Sequence, residues 1–160
     1  MTEHHNIPPL YDKNSRVLIL GSFPSVKSRE ARFFYGHPQN RFWRVISSVM
    51  GEECPVGTED KKAFLLRNKI AVWDVIKSCE ITGSSDSSIK NAVPNDLSEI
   101  FEAADIKGVF CNGQASYKMY RKYQEEMTGR KAIVLPSTSP ANAAYSVERL
   151  VKEWEYIKRI

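Results

Sequence analysis

Cysteine is scarce in this chain. Cys54, Cys79 and Cys111 are odd in number and far apart, which argues against a disulfide framework and leaves no close pair for zinc or an iron–sulfur cluster. No stretch reaches the roughly 18 consecutive apolar residues that a membrane-spanning helix needs. The N-terminal MTEHHNIPPL has neither a basic start nor an apolar core; no secretory leader is expected, and the cytoplasm is the expected compartment. The first apolar run is followed by neither GxGxxG nor GxxxxGK[ST], and no GxSxG elbow occurs. That speaks against a nucleotide-binding protein or a small α/β hydrolase of those types. Internal repeats and low-complexity tracts are absent as well.

What is present is ordinary for a soluble globular protein. The 160 residues suit a single domain spanning 1–160, with 1–14 as an extended or partly ordered tail. The hydrophobic and charged fractions, 42% and 26%, fall in the usual range. A net charge of +4 is compatible with phosphate contacts to nucleic acid and equally with a protein that binds nothing anionic. His4 and His5 lie in the polar tail and read as exposed surface residues.

Four strand-like runs can be marked: Val17–Leu20, Ile70–Val75, Gly108–Cys111 and Ala132–Leu135. None alternates cleanly, as expected of strands buried on both faces. Helical patterns lie between them. Asn40–Met50 sets Phe42, Ile46, Val49 and Met50 on one side and stops at Gly51. Thr58 can cap a helix to about Arg67 with Glu59 and Asp60 in its first turn, and Asn95 can cap Asp96–Ala104. Gln114–Gln124 follows the third run, and Ser146 can cap a last helix carrying Val147, Leu150, Val151, Trp154 and Ile157. Strand alternating with helix four times predicts an α/β fold whose parallel sheet is covered on both faces. The polar, Ser-rich Thr82–Pro94 is either a mobile surface loop or a substrate-contacting one.

In such a sheet, ligands bind beyond the carboxyl ends of the strands. There the sequence gathers Gly21-Ser22-Phe23-Pro24-Ser25, Asp74, Asn112-Gly113 and Pro136–Asn142. Small, hydroxyl and amide residues at one edge from four segments point to a site. A second cluster, Phe34–Trp43 (FYGHPQNRFW), sets His37 and Asn40 beside flat aromatic surfaces able to hold a planar ligand, a nucleobase first of all.

Three segments together resemble the uracil-DNA glycosylase superfamily, and most closely its hypoxanthine-DNA glycosylase branch. Gly21–Ser25 (GSFPS) stands where the superfamily has its Gly-x-x-Pro first motif. His37–Trp43 (HPQNRFW) is similar to the HPxNxFW segment of that branch. Ser137–Ala143 (STSPANA) occupies the place of the minor-groove loop after the last strand. The resemblance implies a three-layer α/β/α fold with a short, mainly parallel four-stranded sheet. It implies a monofunctional enzyme acting on DNA with deaminated bases by base flipping, without a cofactor, a metal or a membrane, and as a monomer. Many relatives carry Asp or Asn before the first-motif proline; here that position is Phe23, which can neither activate nor hold water.

By the same resemblance Asn40 is the catalytic candidate, its amide oxygen holding a water below the sugar; the residue type alone equally suits a helix N-cap. Asp74, expected to be the only carboxylate at the strand-end edge, is a rival, or else caps a turn. Gly21, Ser22, Phe23, Pro24, Tyr35 and Asn112 are base-binding candidates, with Phe23 either a stacking surface or core. Ser25, His37, Ser137, Ser139, Pro140, Ala141 and Asn142 are candidates for the DNA backbone or minor groove. A catalytically silent DNA-binding member of the same fold is the alternative reading.

Overall fold

A strand hydrogen-bonded on both sides and covered on both faces offers no position for a solvated side chain, and the apolar runs become strands of that kind. In the computed structural model, which describes residues 1–160, Val17–Gly21 and Ile70–Asp74 are buried at every position. In chain order the strands are β1 (Thr2–His4), β2 (Val17–Gly21), β3 (Ile70–Asp74), β4 (Ile76–Glu80), β5 (Lys90–Pro94), β6 (Gly108–Asn112) and β7 (Ala132–Leu135). The helices are α1 (Val26–Ala31), α2 (Phe42–Met50), α3 (Thr58–Arg67), α4 (Ser98–Ala103), α5 (Gln114–Tyr123), α6 (Glu125–Thr128) and α7 (Val147–Trp154). Short 3-10 turns occupy Asp86–Ser88 and Glu155–Arg159.

The four predicted runs form one parallel sheet in the order β3-β2-β6-β7. Its register sets Gly21 opposite Asp74 and Asn112 opposite Leu135, so the strands end together at one edge. That is the predicted α/β architecture. Helix α2 packs on α7, with Phe42 edge-on to Trp154 at 5.9 Å between ring centroids. Trp154 donates from its indole N–H to the Pro136 carbonyl at 2.9 Å, which ties the core to the segment leaving β7.

A second sheet was not foreseen. Strands β1, β4 and β5 pair antiparallel in the order β1-β4-β5. The run Ile70–Val75 read as one strand because only Val75 separates β3 from β4; Val75 and Ile76 turn the chain while donating to the Gly21 and Ser22 carbonyls at 2.8 and 3.0 Å. The Thr82–Pro94 segment therefore contains a 3-10 turn and a strand. Asn95 does not cap a helix: buried between the sheets, its amide donates to the carbonyls of Asp74 and Ile76 at 2.9 and 3.1 Å. Thr58 does not cap either. It is the first residue of α3, and Gly57, at φ 82°, takes the cap position. Ser146 caps α7 as predicted, accepting from the Arg149 N–H.

The N-terminal segment is bound rather than loose. β1 pairs with β4, Leu10 exchanges backbone hydrogen bonds with Val72, and the Trp73 indole donates to the Ile7 carbonyl. Exposure alternates along it, with Thr2, His4 and Asn6 outward while Glu3, His5 and Ile7 turn inward. The reading of His5 as a surface residue is wrong: its side chain is 2% exposed, because a ring aimed inward at this position meets the carboxylate of Asp74. No helix is long and apolar enough to cross a membrane.

Candidate active site

The carboxyl ends of β2, β3 and β6, together with the loop after β7, surround a cavity of about 340 Å³. Of the residues singled out from sequence, Gly21, Ser22, Phe23, Pro24, Ser25, Tyr35, His37, Asn40, Asp74, Asn112, Ser137, Ser139, Pro140 and Ala141 all line it. Asn142 does not. Its amide donates to the Ser137 carbonyl, and it lines an adjoining depression instead.

Gly21 closes the inner end. A methyl group at this position would lie 2.3 Å from Asp74 Oδ1 and 3.2 Å from the Tyr35 hydroxyl, so only glycine lets the backbone come so near both groups. Asp74 is almost fully buried. Its Oδ2 lies 2.7 Å from His5 Nε2, while Oδ1 faces Gly21. Tyr35 stands in the left-handed region at φ 53°, stacked on Phe42 at 4.0 Å between centroids. Its hydroxyl is buried without a hydrogen-bond partner. Burial first, and the Asp74 charge second, push the Tyr35 pKa upward against the opposing pull of the nearby Asn112 amide, so this phenol stays protonated and remains a donor.

A third wall comes from the Thr82–Pro94 segment. Ser84 and Asp86, in the Ser-rich segment, line the cavity, which favours the substrate-contacting reading of that segment over the mobile one. Asp74 is consequently not the only carboxylate at this edge. Ser22 Oγ donates to Asp86 Oδ1 at 2.6 Å. Asp86 is exposed at the rim, yet the protein crowding its carboxyl raises its pKa, the Ser22 hydrogen bond opposes the rise and the Asp74 charge adds to it. Nothing local in the sequence marks Asp86, since its neighbours are serines and its partner is 64 residues away.

Asn40 lines the cavity and braces the chain entering α2 from the position before Arg41, which takes the cap place without a side-chain cap bond. Its Oδ1 accepts from the Phe42 N–H at 2.9 Å and from Thr138 Oγ1 at 2.8 Å. A backbone N–H can only donate, so the oxygen must face it and the NH2 group is the part left over. The expectation that the oxygen holds water needs correction: protein donors already take both of its lone pairs. Asn112 is likewise engaged, donating to Thr138 Oγ1 and accepting from the Thr138 N–H, both at 3.0 Å. Thr138, fully buried, thus joins the ends of β6 and α2. Ser25 Oγ accepts from the Ser28 N–H as the cap of α1, and His37 Nδ1 accepts from the Gln39 N–H.

Arg41 escaped the sequence reading, although it lies inside the HPQNRFW segment. Its guanidinium donates to the Ser139 and Asn142 carbonyls at 2.8 and 3.0 Å, more weakly to Thr138, and closely to Tyr145. One fork of N–H groups therefore holds the loop after β7 in shape. Arg41→Ala is expected to leave these carbonyls unpaired and speed amide hydrogen exchange in the 138–142 loop about tenfold. Arg41→Lys should recover little of the loss, because an ammonium cannot span the fork.

Phe23 is edge-on to His5 at 6.1 Å and under the Arg29 guanidinium at 5.3 Å, and it lines the cavity. The site thus combines a flat apolar wall, a buried donor, two carboxylates and a free amide NH2. Such a set can hold a planar heterocycle and favour positive charge developing beside it.

Comparison with known proteins gives this geometry a family. Residues 8–159 match the family model described as the uracil DNA glycosylase superfamily. A Methanosarcina acetivorans protein named hypoxanthine DNA glycosylase is 36% identical over 153 residues, 95% of this chain and 96% of its own length. Its namesake from Methanosarcina barkeri is 37% identical over 137 residues, covering 84% and 85%. A solution NMR structure of a uracil DNA glycosylase candidate from Methanosarcina acetivorans superposes with a TM-score of 0.83 at 34% identity, covering 98% of this chain and 96% of that one. The chain belongs to the uracil DNA glycosylase superfamily.

Proposed function

We propose that the chain is a monofunctional DNA glycosylase that takes a deaminated base into the strand-end cavity, hypoxanthine in preference to uracil, and leaves an abasic site. Family membership and the two relatives make it a hydrolase of N-glycosyl bonds. The base, the flipping and the role of each residue are the proposal.

One observation carries it: the unpartnered Tyr35 hydroxyl and the inner oxygen of Asp74, both against Gly21. They offer a donor next to an acceptor. Deamination turns the amine of adenine into a carbonyl and its N1 from an acceptor into an N–H. Hypoxanthine therefore presents an acceptor beside a donor, the complement of this pair, and uracil does the same. Adenine and cytosine present the reverse order, and a buried polar pair met by the wrong partner discriminates strongly.

The remaining roles follow from the chemistry. As the bond breaks, positive charge grows on the sugar and negative charge on the base. Asp86, at the rim, favours the first. The Tyr35 hydroxyl, with the N–H groups of Ser22 and Phe23, serves the second. Phe23 stacks on the extruded base. Asn40 cannot act as a base at neutral pH; it fixes the attacking water through its NH2 group, whose donation leaves the second lone pair of the water free to attack. No lysine is offered for Schiff-base chemistry, so strand cleavage is not expected. The enzyme acts as a monomer on DNA, with the hydroxyl and backbone groups of Ser137, Ser139, Pro140 and Ala141 against the phosphates.

That loop carries only Ala141, Asn142 and Ala143 at the place of a wedge. Excision from single strands is accordingly expected to be faster than from duplex, and equal or slower rates would count against it. A cleavage panel with deoxyinosine, deoxyuridine and deoxyxanthosine in single and double strands, developed with alkali to reveal abasic sites, tests base and strandedness together. Folded, DNA-competent protein that leaves every lesion intact would end the proposal. Lesion-selective binding without base release would instead support a silent DNA-binding member, the reading that Phe23 at the water-activating position favours.

A further inference from the structure

The N-terminal segment supplies a residue to the site that no motif marks. His5 follows β1, and its backbone N–H donates to the Lys77 carbonyl at 2.7 Å. The Ile7 N–H donates to His5 Nδ1 at 3.1 Å. Since Nδ1 accepts, the ring proton of the neutral imidazole sits on Nε2, and Nε2 donates to Asp74 Oδ2 at 2.7 Å. The ring is boxed in, edge-on to Phe23 and to Trp73 at 6.1 and 6.0 Å. Both side chains are nearly inaccessible, at 2% and 6% exposure.

From this geometry we infer that His5 is a positioning residue for base recognition: its Nε2–H holds Asp74 in the acceptor-only carboxylate form and turns Oδ1 toward the base. The inference rests on the proposed reading of Asp74 as the acceptor for the base N–H. A carboxylate in so dry a place is costly unless a donor meets it. Tyr35 and Asp86 also lie within electrostatic reach of Asp74; the first is neutral and the second is a carboxyl group of the same sign. Without His5, Asp74 takes up a proton more readily, and a carboxyl group that donates matches adenine N1 rather than the N–H of hypoxanthine. The imidazole thus fixes the hydrogen-bond polarity of the reading group.

The test compares His5→Leu, which keeps apolar bulk and removes the donor, with His5→Gln, whose amide can still donate to Asp74 and accept from Ile7. Titration of the Asp74 carboxyl carbon by 13C NMR, without DNA, is expected to move upward by about one pH unit or more in His5→Leu, and little in His5→Gln. Single-turnover excision of deoxyinosine in His5→Leu should lose its acid limb to higher pH by the same interval, and His5→Gln should recover most of the parent profile. An Asp74 titration unchanged in folded His5→Leu overturns the inference, as does equal damage by both substitutions with a normal titration. If the carboxyl shifts as expected while the parent excises no deaminated base, His5 still controls Asp74 and it is the proposed activity that fails. For a variant that melts at low temperature, the titration is read below its unfolding range.

Discussion

Asn40→Ser is expected to fold like the parent and to excise deoxyinosine about 100- to 1000-fold more slowly under single-turnover conditions, the usual effect of losing one well-placed polar group at a reacting centre. A serine hydroxyl can accept from the N–H two residues on as asparagine does, so the hydrogen bond to the Phe42 N–H has a replacement and the start of α2 should hold. What serine lacks is the NH2 group left free by the double engagement of Oδ1 with Phe42 and Thr138. The substitution therefore separates support from chemistry, which alanine cannot do. Thermal melting checks the first and quench-flow excision the second. A stable Asn40→Ser with near-parental rates would show that residue 40 only organises the loop, and would turn attention to Asp74 and Asp86.

Gly21→Ala carries the second large effect. The added methyl would stand 2.3 Å from Asp74 Oδ1, a separation that real atoms do not tolerate, and Asp74 cannot swing freely while His5 holds its other oxygen. Either the carboxylate is displaced or β2 shifts. In both cases the closed end of the cavity is filled where the base edge should lie. Excision is expected to fall at least about 100-fold, since displacement of about 1 Å at a reacting centre has that consequence. Overpacking should cost about 1–3 kcal/mol of stability. Equilibrium binding of an oligonucleotide carrying deoxyinosine, read beside the kinetics, should show the loss of lesion selectivity more than of general DNA affinity. Unimpaired excision would place the base elsewhere in the cavity.

The parts of this molecule that were legible in the sequence share a physical property. β2, β3, β6 and β7 announce themselves because a strand covered on both faces needs an unbroken apolar run, and the residues just past each run have to be small or polar to turn and meet solvent. The site edge follows from the same rule, which is why Gly21, Asp74, Asn112 and Ser137 could be grouped before any geometry was at hand. The second sheet lacked such a signal. β4 is buried only at Ile76 and Cys79 and partly covered at Ser78 and Glu80, and β5 is largely exposed, so neither stands out from loop sequence. His5, Asp86 and Arg41 were missed for another reason. Their roles are set by partners 69, 64 and about a hundred residues away, and a side chain in a polar neighbourhood gives no hint of a distant contact. The residue type of Asn40 suggested a bond to the backbone entering α2, which it makes to the Phe42 N–H although Arg41 takes the cap place; the engagement of its oxygen by Thr138 was not readable.

The pairing of β1 with β4 also bears on how the enzyme comes into being. Thr2 finds its partner only in Glu80, so during synthesis the first strand has nothing to dock on until half of the chain has left the ribosome. Contacts of such wide sequence separation close late, after the loop between them has been ordered. Asp74 can therefore meet its imidazole only after β4 has been made and holds β1, and a nascent chain that has built β2 and β3 alone still lacks that hydrogen bond.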